Sequence, residues 1–196
     1  MLVLASASPR RQELLRNAGV AFVVQAADIP EIPREGEAPR PFAERLAREK
    51  AQAVFRKRPA DFVLGADTIV IVDGAIMGKP RDAADAARML RLLSGRVHEV
   101  ITGVCLAGPL LSADQQGLTT TFSDVRFEIT RVTMSALNDD DIHAYVATGE
   151  PMDKAGAYAI QGRASRWISR VEGDYFNVVG LPVALVSRML REHSAF

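Results

Sequence analysis

Two hydrophobic rhythms take turns along this chain. Runs that are apolar throughout, or at every second position, read as strands. Stretches whose apolar residues return every three or four positions read as helices. The opening run Leu2-Val3-Leu4-Ala5 predicts a buried strand. Ser8-Pro9 follows as an N-cap and a first-turn proline; residues 10–18 then carry a helical pattern, with Leu14 and Leu15 inward and Gly19 as the stop. Residues 20–25 alternate like a strand, and the Pro- and Glu-rich stretch 28–41 is a loop. The spacing of Phe42, Leu46, Ala53 and Val54 predicts a helix over 41–58. Residues 62–72 are the most apolar run, so a central strand buried on both faces is expected, closed by an Asp73-Gly74 hairpin turn. Asp82 caps a helix through Leu93 that Gly95 ends. Two strands follow at 97–107 and 120–132, joined by a polar turn around 108–117. Asn138 caps a helix over 139–147 with Gly149 as its stop; 150–162 is rich in loop residues; 167–171 is a strand. Gly180-Leu181-Pro182 opens a terminal helix with Val183, Val186, Met189 and Leu190 inward.

Charge interrupts this pattern in three places. Lys50 lies on the apolar stripe of its helix, four residues after Leu46 and eight after Phe42. An ammonium there either snorkels to solvent or points into a polar cleft, and burial without a partner costs several kcal/mol. Methionine in its place would exchange a buried point charge for a packed apolar chain at little cost in stability. Asp67 stands in the middle of the most apolar strand, where a carboxylate needs a cation, a metal or a raised pKa. The hairpin register at Asp73-Gly74 places Lys79 about opposite Thr68, one position from Asp67. The third place is the first predicted helix. Its first turn has Arg10 and Arg11 where acidic residues are favoured, beside the hydroxyls of Ser6 and Ser8. Either this is a solvated arginine pair or an anion sits there, phosphate being the usual one. Glu31, between two prolines, reads as a solvated loop charge, and His98 as a hydrogen-bonded residue at a strand end.

Composition narrows the function classes. The 196 residues predict one domain, with 48% hydrophobic content sufficient for a full core. Lys+Arg and Asp+Glu are 24 each, so no nucleic-acid or membrane surface is expected. Only four of the cations are lysines, Lys50, Lys57, Lys79 and Lys154, so each is kept against a strong arginine bias. The single Cys105 excludes an internal disulfide and fits a reducing, cytoplasmic setting; no signal peptide or membrane-spanning run is read. GxGxxG after a strand, GxxxxGK[ST], CxxC, HExxH and GxSxG are all missing from the sequence. A bound phosphate would therefore be held by something other than the common glycine-rich loops.

Several motifs in order resemble one family. They are L-A-S-A-S-P-R-R-x-E-L-L, R-L-A-R-E-K-A, G-A-D-T-I-V, G-K-P, L-S-G-R-V-H-E-V-I-T-G-V, E-P-M-D-K-A-G-A-Y-A-I-Q-G and N-V-V-G-L-P, spanning residues 2–182. The family is that of the Maf proteins, nucleoside triphosphate pyrophosphatases first known as septum-formation inhibitors. The resemblance implies a single domain over 1–196 with two lobes around a central cleft. Its fold would be α/β, an elongated, twisted mixed β-sheet flanked by helices, similar to the inosine-triphosphate pyrophosphatases. It implies hydrolysis of a nucleoside triphosphate to the monophosphate and pyrophosphate, a divalent Mg²⁺ or Mn²⁺, and a homodimer. Asp67 matches the family's general base. Ser6, Arg11, Lys50 and Lys79 match its phosphate-binding set, and Glu31 an acidic position near the metal, with Asp67 as the second metal ligand. Ser8 joins the substrate site through the same helix start. The branch this chain resembles prefers dTTP and UTP; the branch acting on 7-methyl-GTP carries tryptophan, glutamine and glutamate where this chain has Arg10, Thr68 and Gln161. A neutral pyrimidine offers two carbonyls and an N–H, which a guanidinium and an amide can meet. The chain departs from the family pattern at Arg163-Ala164-Ser165-Arg166, where a glycine and a small residue are usual. A non-catalytic nucleotide-binding regulator of division, and a pyrophosphatase for a modified nucleotide, are the competing readings.

Overall fold

The computed structural model describes residues 1–113 and 119–195. Strand β1 (Leu2–Leu4) leads into α1 (Pro9–Asn17), β2 (Val23–Val24) and α2 (Pro39–Phe55). Then come β3 (Phe62–Val72), β4 (Ala75–Met77), α3 (Ala83–Leu93), β5 (Val97–Ala113) and β6 (Thr119–Met134). The chain closes with α4 (Asp139–Val146), β7 (Ile168–Glu172), α5 (Tyr175–Val179) and α6 (Val183–Glu192). Short 3-10 turns cover Glu150–Asp153, Ala155–Ala157 and Arg163–Trp167. The strands form one mixed sheet of seven in the order β2-β1-β3-β5-β6-β7, with β4 paired to β3. β1 runs parallel to β2 and β3, while β3/β4 and β6/β7 are antiparallel. No helix among the described residues is long and apolar enough to cross a membrane.

The chain divides into two compact units. The first holds Met1–Asp67, Thr102–Glu128 and Gly180–Phe196; the second holds Thr68–Ile101 and Ile129–Val179. In the first unit β1 and the start of β3 are buried on both faces, which is why they read as continuous apolar runs. Leu2, Leu4, Phe62, Leu64 and Ala66 pack with Leu15 of α1 and Val186, Met189 and Leu190 of α6. Val3, Ala5 and Val63 pack on the other side with Ala47, Ala51 and Val54 of α2. Two glycines let α2 lie this close. A Cβ on Gly65 would stand 2.2 Å from the Ala47 carbonyl, and one on Gly103 would stand 2.4 Å from that of Ala43. In the second unit, α3 buries Ala86, Ala87, Met89, Leu90 and Leu93, and packs against α4 and the 3-10 turn Ala155–Ala157.

Several boundaries differ from the sequence reading. β2 is two residues, not six, because its partner β1 offers only Val3 and Leu4 for pairing. α2 begins at Pro39, two residues early, since prolines in a first turn give up N–H groups that have no intrahelical acceptor anyway. β5 runs on to Ala113 and β6 two residues past 132 to Met134, so residues 108–113, expected in a turn, belong to β5. Gly108 is there for packing: a Cβ on it would lie 2.5 Å from the Phe62 ring and 3.0 Å from that of Phe122. The rest of the expected turn, 114–117, lies outside the described residues. α5 was not foreseen, and Trp167 ends a 3-10 turn before β7 starts. In α6, Val183 is only half-buried and Leu185 is inward with the others. The Asp73-Gly74 turn has positive φ at both residues, 51° and 77°, as a type I′ hairpin requires. Its register, Val72 opposite Ala75 and Val70 opposite Met77, is the expected one.

Candidate active site

The first unit gathers one charged cluster. β1 ends at Leu4 and the chain turns into α1 with Ser8 as N-cap, its Oγ accepting the Arg11 N–H at 3.5 Å. Ser6 is buried, and its Oγ accepts from the Ser8 N–H at 3.3 Å and from the Arg11 guanidinium at 3.1 Å. Arg11 Nε also donates to the Gly180 carbonyl at 2.8 Å. The second arginine of the pair is therefore not a solvated surface cation but a buried one, tied across the strand end to the segment before α6. Arg10, the other member, is half-buried.

Lys50 and Asp67 meet because α2 lies on one face of β3. Residues 63, 65 and 67 alternate onto the same side of a strand. Val63 packs there against α2, and Gly65 has no side chain there, so Asp67 points to the same helix. Lys50 occupies the next inward turn of α2 after Leu46 and Ala47. Its Nζ donates to Asp67 Oδ1 and to Glu31 Oε1, at 2.6 Å each. Lys50 and Asp67 are buried, whereas the Glu31 side chain is 40% exposed. Glu31 is not a free loop charge. Its loop is fastened to α2 by Arg45, which donates to the Ile32 carbonyl at 3.1 Å and to both oxygens of Glu37 at 2.6 Å.

Burial dominates the electrostatics. Desolvation raises the Asp67 pKa above the ordinary carboxylate value, against the opposing pull of Lys50 and Arg11. Burial lowers that of Arg11, against the attraction of Asp67. A carboxylate raised toward neutrality and flanked by two cations is suited to accept a proton beside a polyanion. Asp67 and Glu31 converge on one point, the Lys50 nitrogen. Among the described residues no group of three or more His, Cys, Asp or Glu could hold a metal. Two carboxylates are hard oxygen donors of the kind a Mg²⁺-type ion accepts, but too few for an all-protein cage.

A family model described as "Maf-like protein" matches residues 1–193. The chain belongs to the Maf-like family. A dTTP/UTP pyrophosphatase of Koribacter versatilis is 57% identical over 190 residues, 97% of this chain and 93% of that one. A dTTP/UTP pyrophosphatase of Geobacter sulfurreducens is 54% identical, covering 99% of this chain and 97% of its own. The solved structure of the Staphylococcus aureus Ham1 protein aligns over 97% of this chain and 98% of its own, with a TM-score of 0.50 at 15% identity. That likeness speaks for the α/β fold alone.

The remaining residues singled out by Maf resemblance belong to the second unit. Thr68 follows Asp67 on β3 and is half-buried; Lys79 is exposed, two residues beyond β4; Gln161 is exposed in the turn before the 3-10 segment Arg163–Trp167. That segment gives the departing residues 163–166 a defined shape, with the Arg166 guanidinium 4.1 Å over the Trp167 ring. His98 is buried, its Nε2 2.8 Å from the Tyr158 hydroxyl, and burial holds its pKa down to about 4, so it is a neutral residue of the interior. The sequence reading passed over Gly65 and Gly103. A glycine inside an apolar strand is a signal of close backbone approach, and these two seat the helix that carries Lys50.

Proposed function

We propose that this Maf-family chain hydrolyses dTTP and UTP to the nucleoside monophosphate and pyrophosphate. The observation that carries the reading is the Lys50 ammonium bridging Asp67 and Glu31 at 2.6 Å within the first unit, which also holds the buried Arg11–Ser6 pair. The printed names of the near-full-length relatives point to the same substrates.

In this reading a water attacks the α-phosphorus in line. A new P–O bond forms, the α–β bridging bond breaks, and the water's proton passes to a carboxylate oxygen of Asp67. Phosphoryl transfer needs positioning and neutralised charge more than covalent chemistry. Arg11, Ser6 and the N–H groups of the α1 start serve the phosphates, as helix starts do for anions. Lys50 and Lys79 offset charge that builds up on the leaving pyrophosphate. Asp67 and Glu31 would hold a Mg²⁺ or Mn²⁺ ion, which when bound supplies further charge neutralisation. Arg10, Thr68 and Gln161 serve the base. The same reading makes the protein a cytoplasmic homodimer, an assignment resting on family resemblance that light scattering across protein concentrations tests.

The decisive experiment measures pyrophosphate release and kcat/KM for dTTP, UTP, CTP, GTP and 7-methyl-GTP with Mg²⁺ or Mn²⁺. High values for both dTTP and UTP are expected, and the selectivity between them is bounded at about 200-fold, the most that one methyl supplies. Binding without release of pyrophosphate defeats the enzymatic reading. Preference for 7-methyl-GTP defeats only the base assignment.

A further inference from the structure

Within the second unit, the turn carrying Gln161 is fastened on both sides by one pair of side chains. Tyr145 of α4 is buried, with its ring edge-on to Trp167 at 5.4 Å. Its hydroxyl donates to Glu150 Oε1 at 2.8 Å and accepts the Ala159 N–H at 3.0 Å. The Glu150 carboxylate accepts the Arg163 N–H, at 3.0 Å to Oε1 and 3.3 Å to Oε2. The Gly162 N–H closes the turn onto the Ala159 carbonyl at 3.0 Å. Backbone two residues before Gln161 and two residues after it is thus held by the same relay. The relay also explains Gly162: a Cβ there would stand 2.3 Å from Glu150 Oε1. Burial raises the Tyr145 pKa, so the hydroxyl keeps its proton and remains a donor to the carboxylate.

We propose that Tyr145 and Glu150 are positioning residues that set base preference by fixing the Gln161 turn. The proposal rests on the reading of Gln161 as a base-facing residue. Its physical content is preorganisation. An amide side chain discriminates between bases only if held to about 0.5 Å of the productive geometry, and residues on turns reach that only through a supporting shell. Gln161 is exposed, so little packing steadies it. The charge-assisted bond that the Arg163 N–H donates to Glu150 is of the stronger kind, and its acceptor is anchored in turn by a hydroxyl on a buried ring.

The test compares Glu150→Gln, Tyr145→Phe and Gln161→Ala with the parent protein by two readouts. One is hydrogen exchange at the Ala159 and Arg163 amides of the free protein. The other is the ratio of kcat/KM for dTTP to that for GTP. Glu150→Gln keeps size but gives up one of the two acceptor oxygens; Tyr145→Phe keeps the ring on Trp167. Both should speed exchange at the turn and lower the ratio roughly tenfold, the size of a lost pocket contact, mainly through KM for dTTP. Gln161→Ala should lower the ratio without speeding exchange at Arg163. A merely structural role would lower turnover of both nucleotides alike and leave the ratio unchanged, which overturns the proposal. Unchanged exchange at Ala159 in Tyr145→Phe, which loses the acceptor of that amide, overturns it too, because the clamp is then not holding the turn. If Gln161→Ala leaves the ratio intact, it is the base-facing reading that fails, and positioning through Gln161 falls with it.

Discussion

Lys50→Met separates the two roles of the lysine. Its Nζ is 2.6 Å from Asp67 Oδ1, and both side chains are 8% exposed. Methionine fills a similar volume without charge. Viewed from the helix stripe alone, the exchange is almost free. The structure reverses that expectation, because it leaves Asp67 buried with its nearest cation gone. Removing one member of a buried pair costs about 3–5 kcal/mol. Arg11 remains as a second cation acting on Asp67, so the expected loss lies near the lower end, about 3 kcal/mol at pH 8. The pH dependence has a definite sign. The folded pKa of Asp67 is already raised by burial, and loss of Lys50 raises it further. A carboxyl with a raised folded pKa holds its proton more tightly when folded. Its stability penalty therefore appears as pH climbs from about 3.9, the unfolded value, to the raised folded value, and stays constant above. Urea unfolding followed by circular dichroism at pH 4, 6 and 8 measures it. Lys50→Met should resemble the parent at pH 4 and fall behind by pH 8, and Lys50→Met/Asp67→Asn should recover most of the difference. A single variant as stable as the parent at pH 8, or a loss equal at pH 4 and pH 8, would refute the coupling.

Three further outcomes are expected. Asp67→Asn keeps shape and removes the proposed base, so pyrophosphate release should drop by about 10²–10⁴; near-normal turnover in a folded variant removes Asp67 from the mechanism. Gly65→Ala puts a methyl 2.2 Å from the Ala47 carbonyl. It should cost on the order of 1–3 kcal/mol by thermal melting and reduce turnover by shifting Lys50, and a fully active, fully stable variant contradicts the seating of α2. Glu37 is held down to about 2, first of all by its hydrogen bonds from Arg45. That interaction is present above the unfolded carboxyl value near 4.3 and is lost as pH falls through about 2. The melting temperature of the parent should therefore converge on that of Glu37→Gln between pH 5 and pH 2, and parallel curves would show that Glu37 contributes nothing specific.

Local signals in this chain gave away the elements whose causes are local. Caps at Ser8, Asp82 and Asn138 accept the N–H groups expected of them, and Asp73-Gly74 turns as two positive-φ residues must. What stayed illegible was set by tertiary contact. Gly108 resembles a loop glycine, yet the Phe62 ring is its reason, and no window around 108 contains residue 62. α5 has only five residues, too few for a 3.6-residue period to register, and Asn177 fixes it by donating to the Val100 carbonyl and Thr130 Oγ1. The charged cluster follows the same division. Asp67 and Lys50 are conspicuous because each violates an apolar pattern, so the expense of burying them is visible in one dimension. Their pairing is not, because β3 is apolar on both faces and parity alone leaves open which helix Asp67 meets. Two glycines decide it by admitting the α2 backbone to the face that carries Asp67. Glu31 violates no pattern at all. A carboxylate in a Pro-rich loop is ordinary, and what makes this one part of the cluster is the Arg45 fork on Glu37 and Ile32, which folds the loop back onto α2. A site residue shows in a sequence when its placement is costly where it stands; one that a neighbouring segment brings into place carries no such mark.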